Sequence, residues 1–287
     1  MGKKWGDRRD ATLLRDIDSM HYIMPLMYPN RCDNEAFISE RIDLTNVNKY
    51  LEKKNAENPE YKYNIFQVIV TAVLKTITLR PQLNRFIANY NLYQRDSVSA
   101  AFTIKKIFTD EGDEALARVN AKPADNIDSI HDEIYRQVSY VRHEGKDPST
   151  EGMDMLQKIP LIFKKPLGAG ARFLDRHGWM PQALIETDPY QSSVVLANLG
   201  SIKLHSGYHH LTNWGTTSVF CIVGEKKPRR FEVGDGTTEL RDSIDIGLTI
   251  DERISDGFYC SRAVRLLKTL LENPELLELP LEESVEY

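Results

Sequence analysis

Four charged residues near the C-terminal end of the chain could take part in acid–base chemistry. Asp251, Glu252, Arg253 and Asp256 are close neighbours, and Gly257 follows them. A carboxylate serves as a general base when its pKa lies near the working pH, whereas glutamate ordinarily titrates near pH 4.3. A glutamate in this run would therefore be a poor base unless burial raised its pKa by about two units.

A second group of candidates is a cluster of histidines, whose imidazoles titrate near neutral pH. His205, His209 and His210 lie in residues 205–216, called here the histidine segment. One interpretation makes His209 or His210 the general base, with Glu252 orienting the imidazole as in a catalytic triad. The alternative is a structural loop whose histidines cap or hydrogen-bond the turn. If the segment is extended, adjacent histidines point to opposite sides, so at most one faces a site. The spacing supports no metal site.

Composition excludes several classes of protein. The chain has 287 residues, 41% of them hydrophobic and 28% charged, which is typical of a globular protein. A net charge of -5 gives no basic footprint for nucleic acid. Three cysteines without a Cys-x-x-Cys pair indicate neither a disulfide framework nor a zinc site. The basic N-terminus has no apolar run behind it, so no signal peptide is predicted and a cytoplasmic protein is expected.

The elements that must position these residues are visible in the hydrophobic pattern. Residues 37–44 read as a strand, and Thr45 is expected to cap the helix that follows. Ile244, Ile246, Leu248 and Ile250 alternate with small or polar residues, which predicts a half-buried strand running into Asp251. The remaining predictions are helices over 64–79, about 127–141 and from 258 to about 272, and strands around 85–89 and 97–105.

Five short motifs occur in an order found in one protein family. They are Ile42-Asp43-Leu44-Thr45, Arg80-Pro81-Gln82-Leu83-Asn84, Asn198-Leu199-Gly200, Asp251-Glu252-Arg253-Ile254-Ser255-Asp256-Gly257 and Asn273-Pro274-Glu275-Leu276-Leu277. Together they resemble the acyltransferase core of the 2-oxoacid dehydrogenase complexes and, more distantly, chloramphenicol acetyltransferase. The match extends over most of the chain from about Ile42.

The resemblance implies an α+β fold in which helices flank a mixed β-sheet. It implies a homotrimer with active sites at subunit interfaces, where coenzyme A or acyl-coenzyme A binds as substrate without a lipoyl group or a metal. We expect residues 1–30 to form an N-terminal extension. Residues 31–287 would form the catalytic domain, with an insertion around residues 150–190.

Two departures from the family bear on chemistry. Glu252 occupies the position of the family's catalytic histidine, which is the general base. Ala197 replaces a hydroxyl residue that hydrogen-bonds the oxyanion, and loss of such a donor typically costs about 100- to 1,000-fold in rate. The chain also has no lipoyl or subunit-binding module. Two functions remain open: an acyltransferase with a rearranged general base and an unknown acceptor, or a catalytically inactive trimeric scaffold or ligand-binding module.

The resemblance suggests further site residues. Asp256 would order the active-site turn or face the substrate, and otherwise it would cap the final helix. Asn198 and Tyr208 are candidates for substrate binding because they lie in the Asn-Leu-Gly turn and the histidine segment. Arg253 is either a coenzyme anchor or a salt-bridge partner.

A basic, apolar stretch covers residues 158–180. It could receive an acidic or acyl-chain substrate, lie on a membrane surface, or be a solvated surface excursion. Pro160 and Pro166 argue against a long amphipathic helix, so membrane contact is not expected.

Overall fold

The computed structural model describes residues 3–105, 114–143, 157–234 and 236–287. Within them, a large mixed sheet runs in the strand order β2-β10-β8-β7-β5-β6, with β9 pairing to β10. Strands β7 and β8 are parallel to each other, as are β5 and β7, and the other pairs are antiparallel. The seven strands are β2 Glu35–Asp43, β5 Val98–Lys105, β6 Glu114–Ala121, β7 Val194–Asn198, β8 Val219–Val223, β9 Lys227–Val233 and β10 Thr237–Asp251.

Strand β10 is the central element for the candidate site. Its first half pairs with β9, and its second half lies between β2 and β8, so that Ile250 stands opposite Ala36 and Val219. The predicted strand is confirmed, and its isoleucines are buried in the main hydrophobic core. The expectation of a half-buried strand was wrong, because Gly247, Thr249 and Asp251, which alternate with them, are buried as well. The side chains of Thr249 and Asp251 alternate onto the other face of the sheet.

A smaller antiparallel sheet lies beside the large one. Its strand order is β1-β4-β3, with β1 Ala11–Leu13, β3 Arg85–Ala88 and β4 Asn91–Arg95. Strand β1 comes from residues 1–30, so this part of the expected extension is joined to the small sheet. The expected division of the chain at residue 31 stays a prediction.

Helices cover the core face of the large sheet. The largely buried α3 begins with a reciprocal capping box between Asn64 and Gln67, and α7 packs against it. The mixed sheet with flanking helices confirms the α+β prediction. The helices in the described residues are α1 Ser19–Met27, α2 Thr45–Ala56, α3 Ile65–Leu79, α4 Ile127–His143, α5 Leu161–Arg176, α6 Gln182–Thr187 and α7 Gly257–Glu272.

Two local predictions were wrong. Leu44 rather than Thr45 is the N-cap of α2, and the Asp43 carboxylate accepts hydrogen bonds from the amide and hydroxyl of Thr45. The stretch with the two prolines forms the 16-residue helix α5. Pro160 is its N-cap, where no helical amide is needed, whereas Pro166 lies inside the helix and has no amide hydrogen to donate to the Ile162 carbonyl.

The described ranges contain no helix long and apolar enough to cross a membrane. Residues 150–156 of the expected insertion lie outside these ranges.

Candidate active site

A buried ion pair fixes the turn after β10. The Arg253 guanidinium donates two hydrogen bonds to the Asp251 carboxylate, at 2.8 and 2.7 Å, and both side chains are at most 1% exposed. The Arg253 amide also donates to this carboxylate, and Arg253 Nη1 donates to the Tyr28 carbonyl at 2.9 Å. All three guanidinium nitrogens are therefore engaged inside the protein. This placement supports the salt-bridge interpretation of Arg253 over the coenzyme anchor.

A second buried arginine joins this turn to the histidine segment. Arg31 Nε lies 3.7 Å from Asp251, and its Nη1 donates to the carbonyls of Thr212 and Gly215. Burial lowers the pKa of Arg31 to about 10, and Asp251 acts in the opposite direction. The segment containing the histidines is thereby tied to the turn containing Glu252.

Asp256 begins the last helix of the chain. Its carboxylate accepts a hydrogen bond from the Tyr259 amide at 2.7 Å, so it is the N-cap of α7. The side chain is exposed and faces a cavity, so the capping role leaves it accessible to a ligand. Both interpretations of Asp256 are compatible with this position.

A cavity of about 690 Å³ lies between α1, β2 and α7. Glu252 lines it and is exposed to solvent, so a single chain does not provide the burial that a glutamate base would require. Two positively charged side chains, Arg265 and Lys268, also line the cavity. The ammonium group of Lys268 lies 3.9 Å from the carboxylate of Glu40. Its remaining lining residues are Met24, Ala36, Ile38, Ile250, Ser255, Asp256, Gly257, Cys260, Ser261 and Val264.

The first residues of the histidine segment pack against the face of the large sheet that lies opposite the main core. A side chain at Gly247 of β10 would overlap the Gly207 carbonyl, so the backbone crosses the sheet at van der Waals distance there. Leu211 is buried in a small apolar cluster with Phe220 and Ile222. The Leu211 amide donates to the Glu35 carboxylate. Glu35, rather than Glu252, is therefore the carboxylate that binds the backbone next to His209 and His210.

His209 is held in a defined orientation. Its ring stacks on Phe220 at 4.2 Å between centroids and on His210 at 4.5 Å. His209 Nδ1 lies 2.8 Å from the His210 carbonyl, which can only accept, so Nδ1 carries the proton in the neutral ring. The Nε2 atom of His209 then keeps its lone pair and can accept a proton.

The other candidates in this segment are more exposed. Tyr208 is about half exposed, at 50%, and packs against Phe37 with 5.1 Å between ring centroids. His210 is exposed, and His205 lies on the surface near Glu225 and Lys227. Tyr208 can therefore contact a ligand on the surface that it shares with Phe37.

Asn198 and Ala197 lie at the end of β7. The Asn198 side chain accepts a hydrogen bond from the Ser201 amide at 3.2 Å and caps a short 3-10 helix. Ala197 stands opposite Ile222 of β8, which stands opposite Gly247 of β10. Since Glu252 is five residues beyond Gly247, it lies about 16 Å along the strands and about 10 Å across them from Ala197.

The structure does not bring the two halves of the proposed triad together within one chain. His209 stacks on Phe220, which pairs with Thr249, whereas Glu252 shares the helix-covered cavity with Ile250. No hydrogen bond or ion pair between Glu252 and His209 or His210 occurs among the described residues. These groups belong to opposite faces of the sheet.

Arg31 and Glu35 are site residues that the sequence analysis missed. Glu35 precedes the predicted strand and pairs with Asp251 through the β2–β10 register, a long-range contact without a local signal. No cluster of potential metal ligands is present in the part of the chain that the structure describes.

Comparison with solved structures identifies the fold. A probable dihydrolipoamide acetyltransferase from Listeria monocytogenes superposes with a TM-score of 0.60 and 15% identity, over 96% of this chain and 98% of that chain. The Azotobacter vinelandii dihydrolipoamide acetyltransferase gives 0.59 and 13%, over 93% and 95% of the two chains. A chloramphenicol acetyltransferase gives 0.55 and 12%, over 91% and 99%.

Neither the known protein-family profiles nor the curated proteins include a match to the sequence. The structural similarity covers almost the whole length of the chain and of the compared proteins, and the resemblance predicted from five short motifs is confirmed at the level of the fold. The chain therefore has the fold of the dihydrolipoamide acetyltransferase catalytic cores and chloramphenicol acetyltransferase.

Proposed function

We propose that the protein is a coenzyme A-dependent acyltransferase in which His209 has taken over the role of general base. The observation that carries this proposal is the orientation of His209, whose Nδ1 proton is held by the His210 carbonyl while Nε2 remains free. A neutral imidazole with a fixed tautomer is suited to take a proton from a hydroxyl or thiol acceptor. The acceptor then attacks the thioester carbonyl, and coenzyme A leaves as its thiol with that proton.

The substrate site is proposed to include the cavity beside α7. Arg265 and Lys268 provide positive charge for the phosphates of coenzyme A, since cations bind phosphate through charge-assisted hydrogen bonds. Asp256 and Glu252 lie on the same wall. Tyr208, at the other face of the sheet, and Asn198, at the end of β7, would contact the acyl acceptor.

Glu252 and His209 are proposed to meet across a subunit interface of a homotrimer. Within one chain, Glu252 and His209 lie on opposite faces of the sheet. Glu252 is also remote from Ala197, at about 19 Å when the separations along and across the strands are combined. A second copy that places its Glu252 against the exposed side of the histidine segment would give His209 a carboxylate partner. The exposed apolar side of α1 offers surface for such an assembly.

Mixed oligomers test the arrangement directly. His209→Ala is expected to lower acyl transfer by about 100- to 10,000-fold, the usual contribution of a general base, and Glu252→Ala by a smaller factor. When both variants are co-expressed, some interfaces combine an intact Glu252 with an intact His209, so activity should be restored. His205→Ala is the matched control, because His205 lies in the same segment on the surface.

The readout is release of free thiol from acetyl-coenzyme A with a panel of hydroxyl and thiol acceptors, together with calorimetric titration of coenzyme A. Activity in His209→Ala equal to that of His205→Ala would refute the assignment of the base. Failure of the mixed oligomers to recover would refute the intersubunit pairing.

The second candidate is a non-catalytic scaffold or ligand-binding module. It is favoured by Ala197, which has no hydroxyl to stabilise an oxyanion, and by the solvent exposure of Glu252. This candidate predicts no thiol release with any acceptor, and enzyme-dependent release would eliminate it.

A further inference from the structure

The solvent-facing side of α5 is apolar. Ile162 is 78% exposed, and Phe163 and Phe173 are each 53% exposed. Trp179, just beyond the helix, is 58% exposed and packs edge-on against Phe173. Such a concentration of large exposed apolar side chains on one helix indicates a contact beyond those made by the described residues.

The orientation of α5 is fixed by its opposite side. At about 100° per residue, Gly168, Ala171 and Asp175 share the side that faces the protein. The buried Asp175 carboxylate accepts hydrogen bonds from Arg8 at 3.2 Å and from Gln191 at 3.1 Å. These bonds hold the helix against the body of the protein and turn the apolar stripe outwards.

The exposed charges of the helix all have one sign. Lys164, Lys165, Arg172 and Arg176 are exposed, whereas the single acidic residue of α5, Asp175, is buried and paired. This local excess of positive charge occurs in a chain whose net charge is -5. Contact with α5 of a second copy would bring like charges together, whereas an anionic surface complements them.

We propose that α5 docks the protein on the surface of an anionic lipid bilayer. The helix lies in the plane of the interface, with Phe163, Leu167 and Leu174 among the outer parts of the acyl chains. By the same rotation, Lys165 and Arg172 lie on the opposite flank of the helix, between the outward-facing Ile162 and Phe173 and the protein, where their heads reach the anionic headgroups. The sequence-based expectation of no membrane contact rested on the two prolines, which argued against a long helix. Because the helix forms in spite of them, that reason no longer applies.

Sedimentation of the full chain with lipid vesicles tests this proposal. The protein is expected to sediment with phosphatidylcholine vesicles that contain phosphatidylglycerol, to bind less at high salt, and to stay in solution with phosphatidylcholine alone. Phe163→Glu combined with Leu174→Glu should weaken binding at least about tenfold, since both changes place charge in the apolar stripe. Lys165→Glu combined with Arg172→Glu should also weaken binding to the anionic vesicles, because both changes remove positive charge.

Leu240→Glu is the matched control, because Leu240 is 69% exposed on the β9–β10 ribbon. The fluorescence of Trp179 gives an independent readout: a blue shift on vesicle addition should disappear in Trp179→Phe. Binding of coenzyme A by the same variants separates this proposal from the acyltransferase assignment.

Three results would overturn the proposal. The first is no sedimentation of the wild-type protein with anionic vesicles at low salt. The second is equal binding by the Phe163 and Leu240 variants. The third is a change of oligomeric state in the Phe163 variant without vesicle binding by the wild type, which would assign the face to a second copy of the chain.

Discussion

Replacing Arg253 by methionine should destabilise the protein strongly, because it leaves the buried Asp251 carboxylate without its main partner. Removing one partner of a buried ion pair typically costs about 3–5 kcal/mol. Arg31 remains 3.7 Å from Asp251 and offsets part of the loss, so the expected change lies near the lower limit, about 3 kcal/mol. The side chain keeps a similar length, so the loss of packing is small.

Equilibrium urea unfolding, followed by tryptophan fluorescence, measures this change. The midpoint should fall while the slope of the free energy with denaturant stays constant. In thermal unfolding the same loss corresponds to a decrease of about 6–12 °C, at about 2–4 °C per kcal/mol for a domain of this size. Arg265→Met, on the exposed side of α7, is the control and should change stability by less than about 0.5 kcal/mol.

A double-mutant cycle with Asp251→Asn isolates the interaction. Because the two side chains share two direct hydrogen bonds, their coupling should lie between about 0.5 and 3 kcal/mol. A loss below about 1 kcal/mol in Arg253→Met, or additive effects in the double variant, would contradict the view that this pair fixes the turn.

Three further outcomes are expected. Gly247→Ala should lower the free energy of unfolding in urea by about 1–3 kcal/mol, because the added methyl group overlaps the Gly207 carbonyl. Gly234→Ala is the control and should be nearly neutral, because the space around Gly234 is open. Equal effects of the two changes would contradict the close approach of Gly207 to Gly247. Burial raises the pKa of Asp188, so the native state holds this proton more tightly than the unfolded state. Stability should therefore fall as pH rises from about 4 through the raised pKa, and Asp188→Asn should flatten the fall in a pH series of urea titrations. A thiol reagent should label one cysteine of the native protein rapidly, and this rapid phase should disappear in Cys32→Ser, because the other two cysteines are buried. A rapid phase that persists in Cys32→Ser would contradict this assignment.

Helices and strands with strong local patterns were predictable from the sequence. The helix over 64–79 follows from its apolar spacing, and its start at Asn64 is fixed by local side-chain hydrogen bonds. The strand running into Asp251 follows from the alternation of its large apolar residues, which all face the main core. Such signals are local in the chain and survive without knowledge of the rest of the fold.

Helix α5 shows where local rules gave the wrong answer. Pro166 indicated a break, but the helix continues through it to Arg176. The anchoring of Asp175 by Arg8 and Gln191 holds the helix in place. Those partners are distant in the sequence, so the pattern around the prolines could not reveal them.

In the candidate site, too, some features were predictable from the sequence and others were decided only by the tertiary structure. The sequence by itself identified the charged turn at 251–257 and the cluster containing His209, and its family resemblance predicted a histidine at the position of Glu252. Only the tertiary structure decided that Glu252 and His209 belong to opposite faces of the sheet, and that Arg31 and Glu35 connect the histidine segment to the turn. The physical reason is that strand register and face assignment depend on pairing between segments from opposite ends of the chain, whereas residue type and spacing are local properties.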